Sequence, residues 1–225
     1  MALLNVKKLS YSYDNANKKV LNNINIGFEK SKIYSIVGKS GAGKTTFLSL
    51  ISGLDTCKDG EILYKEKNIN KIDKDNYRAQ SIGVIFQGYN LLTNYTAIEN
   101  ILLSMDISNV NIENKRKYVL ELLNKVGIDN EKAFRKVLTL SGGEQQRVAI
   151  ARALAHNPDI IIADEPTGNL DTETEDNILD ILRKLSNEEN KCVIIVTHSN
   201  KVALFADEVW ALDNGNLLFI KQKRK

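Results

Sequence analysis

The sequence has little of three features that would assign it to common classes of protein. Its two cysteines, Cys57 and Cys192, lie far apart and have no partners at metal-ligand spacing, which excludes a disulfide framework and a zinc site. No apolar run approaches the roughly 20 residues that a membrane-spanning helix needs. The net charge of +3 over 225 residues gives no argument for nucleic-acid binding. We therefore expect a compact protein of a reducing cytoplasm, with at most a peripheral membrane role.

The most informative stretch runs from Ile33 to Thr46 and reads as a short apolar strand, a glycine-rich loop and the first turn of a helix. The loop contains three glycines, Gly38, Gly41 and Gly43. They allow a tight turn that points backbone N–H groups inward, and the helix start adds its positive dipole end. Lys44 can reach the β- and γ-phosphates of a nucleotide, and the Thr45 hydroxyl is placed to bind Mg²⁺. The alternative is an ordinary glycine-rich turn between a strand and a helix.

Three further buried-type strands end in polar side chains. Ile82–Phe86 is followed by Gln87, Asp159–Ala163 by Asp164 and Glu165, and Cys192–Thr197 by His198. In open α/β sheets, ligands bind at the carboxyl ends of the strands. Asp164 would hold Mg²⁺, Glu165 would polarise the water that attacks the γ-phosphate, and His198 would contact that phosphate. Two acids at the end of a strand can also be simply the start signal of the next helix.

From Thr96 to Ala155 the apolar residues recur at helical spacing and no strand signal intervenes, which predicts a helical insert. Within it, Ser141 and Glu144 meet the capping-box rule for a helix start. Gly142 and Gly143 in that first turn each cost about 1 kcal/mol relative to alanine, which suggests that something must approach the backbone, such as a phosphate. The alternative is a well-capped amphipathic helix.

The two ends of the chain predict antiparallel pairs. Leu3–Leu9 and Val20–Phe28 form a ribbon, and Glu208–Leu212 and Leu217–Ile220 flank a hairpin turn. Tyr11 and Tyr13 lie at the turn of the ribbon. An aromatic residue there can stack on an adenine ring, and we favour Tyr13, although a tyrosine at a strand end is usually a core or rim residue. The basic residues from Lys221 to Lys225 read as a solvated terminus.

Together these segments resemble the full motif series of an ABC-transporter nucleotide-binding subunit. The resemblance spans Leu3–Ile220 and rests on Gly38–Thr46, Gln87, Leu140–Gln145, Ile160–Glu165, Gly168–Asp171 and His198. It implies an α/β fold: a P-loop NTPase with a RecA-like mixed sheet core, an antiparallel β subdomain and a helical signature subdomain. The chain 1–225 would be a single nucleotide-binding domain, with its helical subdomain at about 96–156. The signature and the run after Asp164 are most similar to the branch of macrolide and toxin exporters, lipoprotein-release pumps and antimicrobial-peptide-resistance pumps.

The resemblance implies a role for each matching residue. The catalytic residues are Glu165 as general base, His198 and Lys44, and the Mg²⁺ contacts are Thr45, Gln87 and Asp164. ATP contacts the following residues: Tyr13, Gly38, Ser40, Gly41, Ala42, Gly43, Lys44, Thr45, Thr46, Gln87, and, from a second copy of the chain, Ser141 and Gly143.

The resemblance also implies partners and a location. Two chains would sandwich two ATP molecules, and hydrolysis would drive a transmembrane permease from the inner face of the cell membrane, with no nucleic acid involved. The region Gln87–Met105 would receive a permease helix. The work done would be export or release of a peptide, lipoprotein or drug. The alternative is a mechanotransmission ATPase that moves no substrate and pulls on a membrane partner of the cell-division or sensor type.

Overall fold

The computed structural model describes residues 2–13 and 19–222, so most of the polar segment predicted after Tyr13 and the last basic residues lie outside it. The strands are β1 Leu4–Tyr11, β2 Leu21–Phe28, β3 Ile33–Val37, β4 Asp59–Tyr64, β5 Lys67–Asn68, β6 Ile82–Ile85, β7 Ile160–Asp164, β8 Cys192–Thr197, β9 Glu208–Asp213 and β10 Asn216–Gln222. The α-helices are α1 Lys44–Ile51, α2 Lys74–Ser81, α3 Ala97–Ile107, α4 Lys115–Lys125, α5 Asn130–Ala133, α6 Gly142–Leu154, α7 Thr172–Asn187 and α8 Asn200–Phe205.

The larger sheet has six strands in the order β10-β9-β3-β8-β7-β6. All neighbours are parallel except β9 and β10, which form the predicted hairpin. Every residue of β8 is buried, as are the first four of β7, because both faces of the sheet are covered and the sequence has Ile and Val there. The carboxyl ends of β3, β6, β7 and β8 therefore share one edge, where the predicted site residues follow.

The smaller sheet is antiparallel, in the order β2-β1-β4-β5. It packs its inner face on α1 and on one face of the larger sheet, where Phe28, Tyr34 and Phe47 are fully buried. A second hydrophobic core lies on the other face of the larger sheet and includes the buried sides of α3, α4, α6 and α7. The mixed core sheet, the antiparallel sheet and the group of helices were all predicted from the sequence.

Three local features differ from the sequence-based expectation. Helix α2 lies in a polar segment for which the sequence predicts no helix, because Tyr77 is its only buried residue and leaves no apolar period. Helix α8 has only six residues, too few for a periodic signal. Asp59 and Gly60, a pair typical of turns, belong to β4, because Asp59 pairs with Ser10 of β1 across a register shift. Gly60 lies at that shift with φ +89°, where a Cβ would be 2.5 Å from the carbonyl oxygen of Lys8.

Across residues 2–13 and 19–222, none of the helices combines the length and the apolar content that crossing a membrane requires.

Candidate active site

Among the α-helices of the described residues, α1 is the one whose first backbone N–H groups have no side-chain cap. Its N-cap, Gly43, has a left-handed φ of 100°, and no acidic residue stands in the first turn. Each of the other seven α-helices of the described chain has a capping side chain. The free N–H groups and the dipole of α1 therefore form a site for an anion.

Lys44 lies across the loop that leads into α1. Its Nζ donates hydrogen bonds to the carbonyl oxygens of Gly38 and Lys39, at 2.7 and 3.1 Å. Its charge also acts on Asp164 at the end of β7, where it opposes a rise in pKa caused first by burial and second by the charge of Glu165. The loop lysine and the strand-end carboxylates thus belong to one electrostatic site.

Glu165 is held in a strained and specific position. It has a left-handed φ of 46°, which a side chain other than glycine adopts only when its surroundings impose it. Its amide donates to the carbonyl of Val196 at 2.9 Å, its Oε2 accepts from the Thr197 hydroxyl at 3.0 Å, and its Oε1 lies 2.7 Å from Nδ1 of His198. The Glu165 side chain is 13% exposed and that of His198 is 72% exposed. A carboxylate so oriented can accept a proton from a water molecule at the sheet edge.

Thr197 was not singled out from the sequence, although it immediately precedes His198. Its hydroxyl also accepts a hydrogen bond from the amide of Ser199 at 3.0 Å. It therefore fixes both the glutamate and the turn that carries the histidine. The sequence did carry one signal for Thr197: it lies at the end of a buried strand, beside a predicted site residue.

Gln87 contacts the turn that follows Glu165. Asn169 donates to the Gln87 carbonyl at 3.4 Å, and a Cβ at Gly168 would lie 3.1 Å from Nε2 of Gln87. The side chain is exposed and so remains accessible to a ligand.

Tyr13 lies beside the first turn of α1. Its hydroxyl is 2.8 Å from Oγ1 of Thr46, and its side chain is among the exposed large hydrophobic ones, at 53%. The structure thus places the predicted base-stacking residue and the predicted phosphate loop next to each other.

The start of α6 is built differently from that of α1. The Ser141 hydroxyl caps the amide of Glu144, and the Glu144 carboxylate accepts from the amide of Ser141 at 2.8 Å. The two glycines have a packing reason within the chain: a Cβ at Gly142 would lie 2.9 Å from the Tyr89 hydroxyl, and one at Gly143 would lie 2.4 Å from Cγ2 of Thr174. Sequence reasoning offered only an approaching phosphate. Within the described residues, no hydrogen bond joins this helix start to residues 38–46.

The donor set fits ATP with Mg²⁺. Mg²⁺ prefers oxygen ligands, and the chain offers them from the Thr45 hydroxyl, the Gln87 amide and the Asp164 carboxylate. The ion usually binds one or two carboxylates, and phosphate and water complete its coordination shell. No cluster of three or more His, Cys, Asp or Glu side chains suited to holding a metal occurs in the part of the chain that the structure describes. The uncapped start of α1 supplies the matching anion site.

Comparisons with known proteins agree with this geometry. The ABC transporter family profile matches residues 21–168. The chain is 47% identical over 216 residues to the uncharacterized ABC transporter ATP-binding protein YclH of Bacillus subtilis, covering 96% of each chain. It is 39% identical to the lipoprotein-releasing system ATP-binding protein LolD of Wigglesworthia glossinidia brevipalpis, over 222 residues and 96% of each chain.

The solved structures include the cassette MJ0796 of Methanocaldococcus jannaschii, described as a dimer and, separately, in a post-hydrolysis state bound to ADP and Pi. The dimeric structure matches with a TM-score of 0.88 and 36% identity over 99% of each chain. The predicted fold class, the ATPase activity and the use of ATP with Mg²⁺ are confirmed. The chain belongs to the ABC transporter family and is one of its ATP-binding, ATP-hydrolysing subunits.

Proposed function

We propose that the whole chain, 1–225, is a single nucleotide-binding domain, with its helical subdomain at about 96–156, and drives a transmembrane permease by ATP-dependent dimerisation. The observation that carries the proposal is the single sheet edge that collects Lys44, Asp164, Glu165 and His198 beside an uncapped helix start. The similarity to a lipoprotein-releasing subunit supports export or release of a peptide, lipoprotein or drug as the process that ATP hydrolysis drives.

The residues divide the chemistry among them. Residues 38–46 hold the triphosphate through backbone N–H groups, and Lys44 neutralises its charge. Thr45, Gln87 and Asp164 hold Mg²⁺, which when bound neutralises charge on the phosphates. Glu165 accepts the proton of the attacking water. The imidazole of His198 lies 2.7 Å from that carboxylate and orients it, and it would also contact the γ-phosphate.

The start of α6 serves the site of a second copy. The first two amides of a helix have no intrahelical partner, so those of Gly142 and Gly143 can face an anion that arrives from outside the chain. Because Ser141 already caps Glu144, it is pre-oriented at that surface. Two chains arranged head to tail would then close on two ATP molecules, as supported by the dimeric MJ0796 cassette.

The proposed location is the inner face of the cell membrane, reached through the permease. The surface from Gln87 to Met105 supports this assignment because it presents exposed apolar side chains, including Leu92, Tyr95 and Leu103. A permease helix would cover them.

The decisive experiment is Glu165→Gln in the presence of ATP and Mg²⁺. Removal of the base should lower turnover by about 10²- to 10⁴-fold while ATP binding is retained. Gel filtration should then show a dimer of this chain. A strict monomer at high protein concentration would contradict the sandwich.

Ser141→Arg provides the companion test. The bulky cation at the start of α6 should prevent dimer closure and leave ATP binding by the monomer unchanged, measured by calorimetry. Loss of ATP binding by the monomer would mean that this helix start belongs to the chain's own site. The tagged Glu165→Gln protein, locked with ATP and used to capture its partner from detergent-solubilised membranes, should recover a permease.

A further inference from the structure

Two tyrosines at the end of β1 form a connected chain of contacts. The rings of Tyr11 and Tyr13 stand perpendicular, with centroids 5.2 Å apart and an interplanar angle of 89°. The Tyr11 hydroxyl donates to Oδ2 of Asp55 at 2.5 Å, and the Tyr13 hydroxyl lies 2.8 Å from Oγ1 of Thr46. The perpendicular geometry is one that aromatic pairs prefer.

The two ends of this chain of contacts attach to opposite ends of α1. Thr46 belongs to the first turn, and Asp55 lies just beyond the last turn, where its amide donates to the carbonyl of Ser49 at 3.1 Å. The Asp55 carboxylate is itself oriented, because Oδ1 accepts from the amide of Thr56 at 2.6 Å and leaves Oδ2 for Tyr11. The end of β1 is therefore tied to the helix whose start forms the anion site.

Tyr11 is also fixed by its backbone. Its carbonyl accepts from the amide of Val20 at 2.8 Å, and it pairs with Leu21 across the ribbon. Tyr13 lies beyond the end of β1 and is 53% exposed. The orientation of the exposed ring thus depends on the better-anchored Tyr11 ring and on the Thr46 hydroxyl.

We propose that Tyr11 and Asp55 are positioning residues for nucleobase recognition, which hold the ring of Tyr13 in the orientation that receives the adenine of ATP. This inference rests on the proposed role of Tyr13. A side chain ordered before binding loses less conformational entropy when the ligand arrives, so this clamp increases affinity without touching the nucleotide. It acts only on the part of the affinity that comes from the base.

The experiment compares two ligands by calorimetry: ATP with Mg²⁺, and inorganic tripolyphosphate with Mg²⁺, which has the phosphates and no base. Tyr11→Phe keeps the ring and removes the hydrogen bond to Asp55. We expect it to weaken ATP binding by about three- to tenfold and to leave tripolyphosphate binding within about twofold. Asp55→Ala, which removes the partner of the Tyr11 hydroxyl, should behave in the same way. Tyr118→Phe, on α4 in the other hydrophobic core, is the matched control and should change neither affinity.

A double-mutant cycle shows whether Tyr11 acts through Tyr13. On a Tyr13→Ala background, Tyr11→Phe should have no further effect on ATP affinity. An unchanged ATP affinity in Tyr11→Phe, with Tyr13→Ala clearly weakened, would overturn the positioning role alone. Equal weakening of both ligands would overturn it too, since that pattern reports damage to the phosphate loop. An unchanged ATP affinity in Tyr13→Ala would instead overturn the proposed adenine contact.

Discussion

Strand β7 has a carboxylate at each end, and the surroundings of the two differ. Asp159, at the amino end, binds Lys30 at 2.7 Å, Lys65 at 2.6 Å and the Tyr64 hydroxyl at 2.6 Å. Partial burial alone would raise its pKa, but these hydrogen bonds outweigh burial and hold the pKa well below its ordinary value. This end joins the larger sheet to the smaller one, because Tyr64 and Lys65 come from the end of β4.

At the carboxyl end of β7 the pKa shift has the opposite sign, because burial is not outweighed there. The pKa of Asp164 is raised, first by burial and then by the neighbouring charge of Glu165. Glu165 itself has a left-handed backbone. Two adjacent acids whose negative charges are only partly compensated reduce the stability of the fold. A bound cation or an accepted proton would reduce the repulsion between them. One strand thus separates a structural carboxylate from functional ones, and each end can be tested alone.

The largest effect is expected from Asp164→Asn, which removes charge from the functional end. Steady-state ATPase activity with Mg²⁺ should fall about 100-fold, the usual size for loss of one preorganised electrostatic group. The free energy of unfolding of the nucleotide-free protein, from urea titration, should not fall and can rise by about 0.5–1 kcal/mol, because a repulsive pair is relieved. A clear loss of stability would mean that the two ends of β7 are built alike.

Asp159→Asn should show the opposite pattern. We expect the free energy of unfolding to fall by about 2 kcal/mol, because hydrogen bonds to a charged group are lost at a partly buried site. The kcat for ATP should remain within about twofold, since catalysis is at the other edge of the sheet. A kcat reduced as strongly as in Asp164→Asn would remove the distinction between the ends.

The pH dependence of stability should sharpen the difference. The pKa of Asp159 is lower in the folded chain than its ordinary value of 3.8, so its contribution is fully present above that value and is lost as the pH falls through the folded-state pKa. The stability gap between the wild type and Asp159→Asn should therefore stay constant from neutral pH to about pH 5 and narrow below about pH 4. Urea unfolding at stepped pH measures it, and a gap that widens in acid would contradict the sign.

The smallest effect is expected from Lys30→Met, which removes one exposed partner of Asp159. The loss should be about 0.2–1 kcal/mol, the usual value of an exposed ion pair, because Lys65 and Tyr64 remain. Lys67→Met, at an exposed position of β5 that has no ion pair in the described structure, is the matched control. The difference between the two variants should shrink at high salt.

The sequence predicted the functional end of β7 better than the structural end. Asp164 and Glu165 follow a run of buried residues in a pattern that few proteins outside the family share, so their position could be inferred directly. Asp159 gave no signal, because its partners are 95 and 129 positions away along the chain for Tyr64 and Lys30. Long-range ion pairs leave no periodic trace in a sequence.

The same limit explains the helices that were missed or partly understood. Helix α2 has one buried residue and α8 has six residues in all, so neither shows a 3.6-residue apolar period. The sequence predicted that a phosphate approaches the glycines of α6, and this stays a prediction. The close contacts that the structure shows there, from Tyr89 and from Thr174 of α7, depend on tertiary packing. The buried strands were predicted because parallel strands covered on both faces are strongly apolar. Their order in the sheet was not predicted, because it depends on contacts between distant segments.

The uncapped start of α1 links the lifetime of the folded chain to the supply of nucleotide. A ligand that binds only the folded state at 100 times its Kd adds about 2.7 kcal/mol to the free energy of unfolding. In a cell rich in ATP the bound phosphates accept hydrogen bonds from the free N–H groups of α1, and the nucleotide stabilises the folded chain against unfolding. In a starved cell that contribution disappears, and a larger fraction of molecules opens to proteases. The abundance of this subunit would then follow the energy state of the cell without any dedicated regulator.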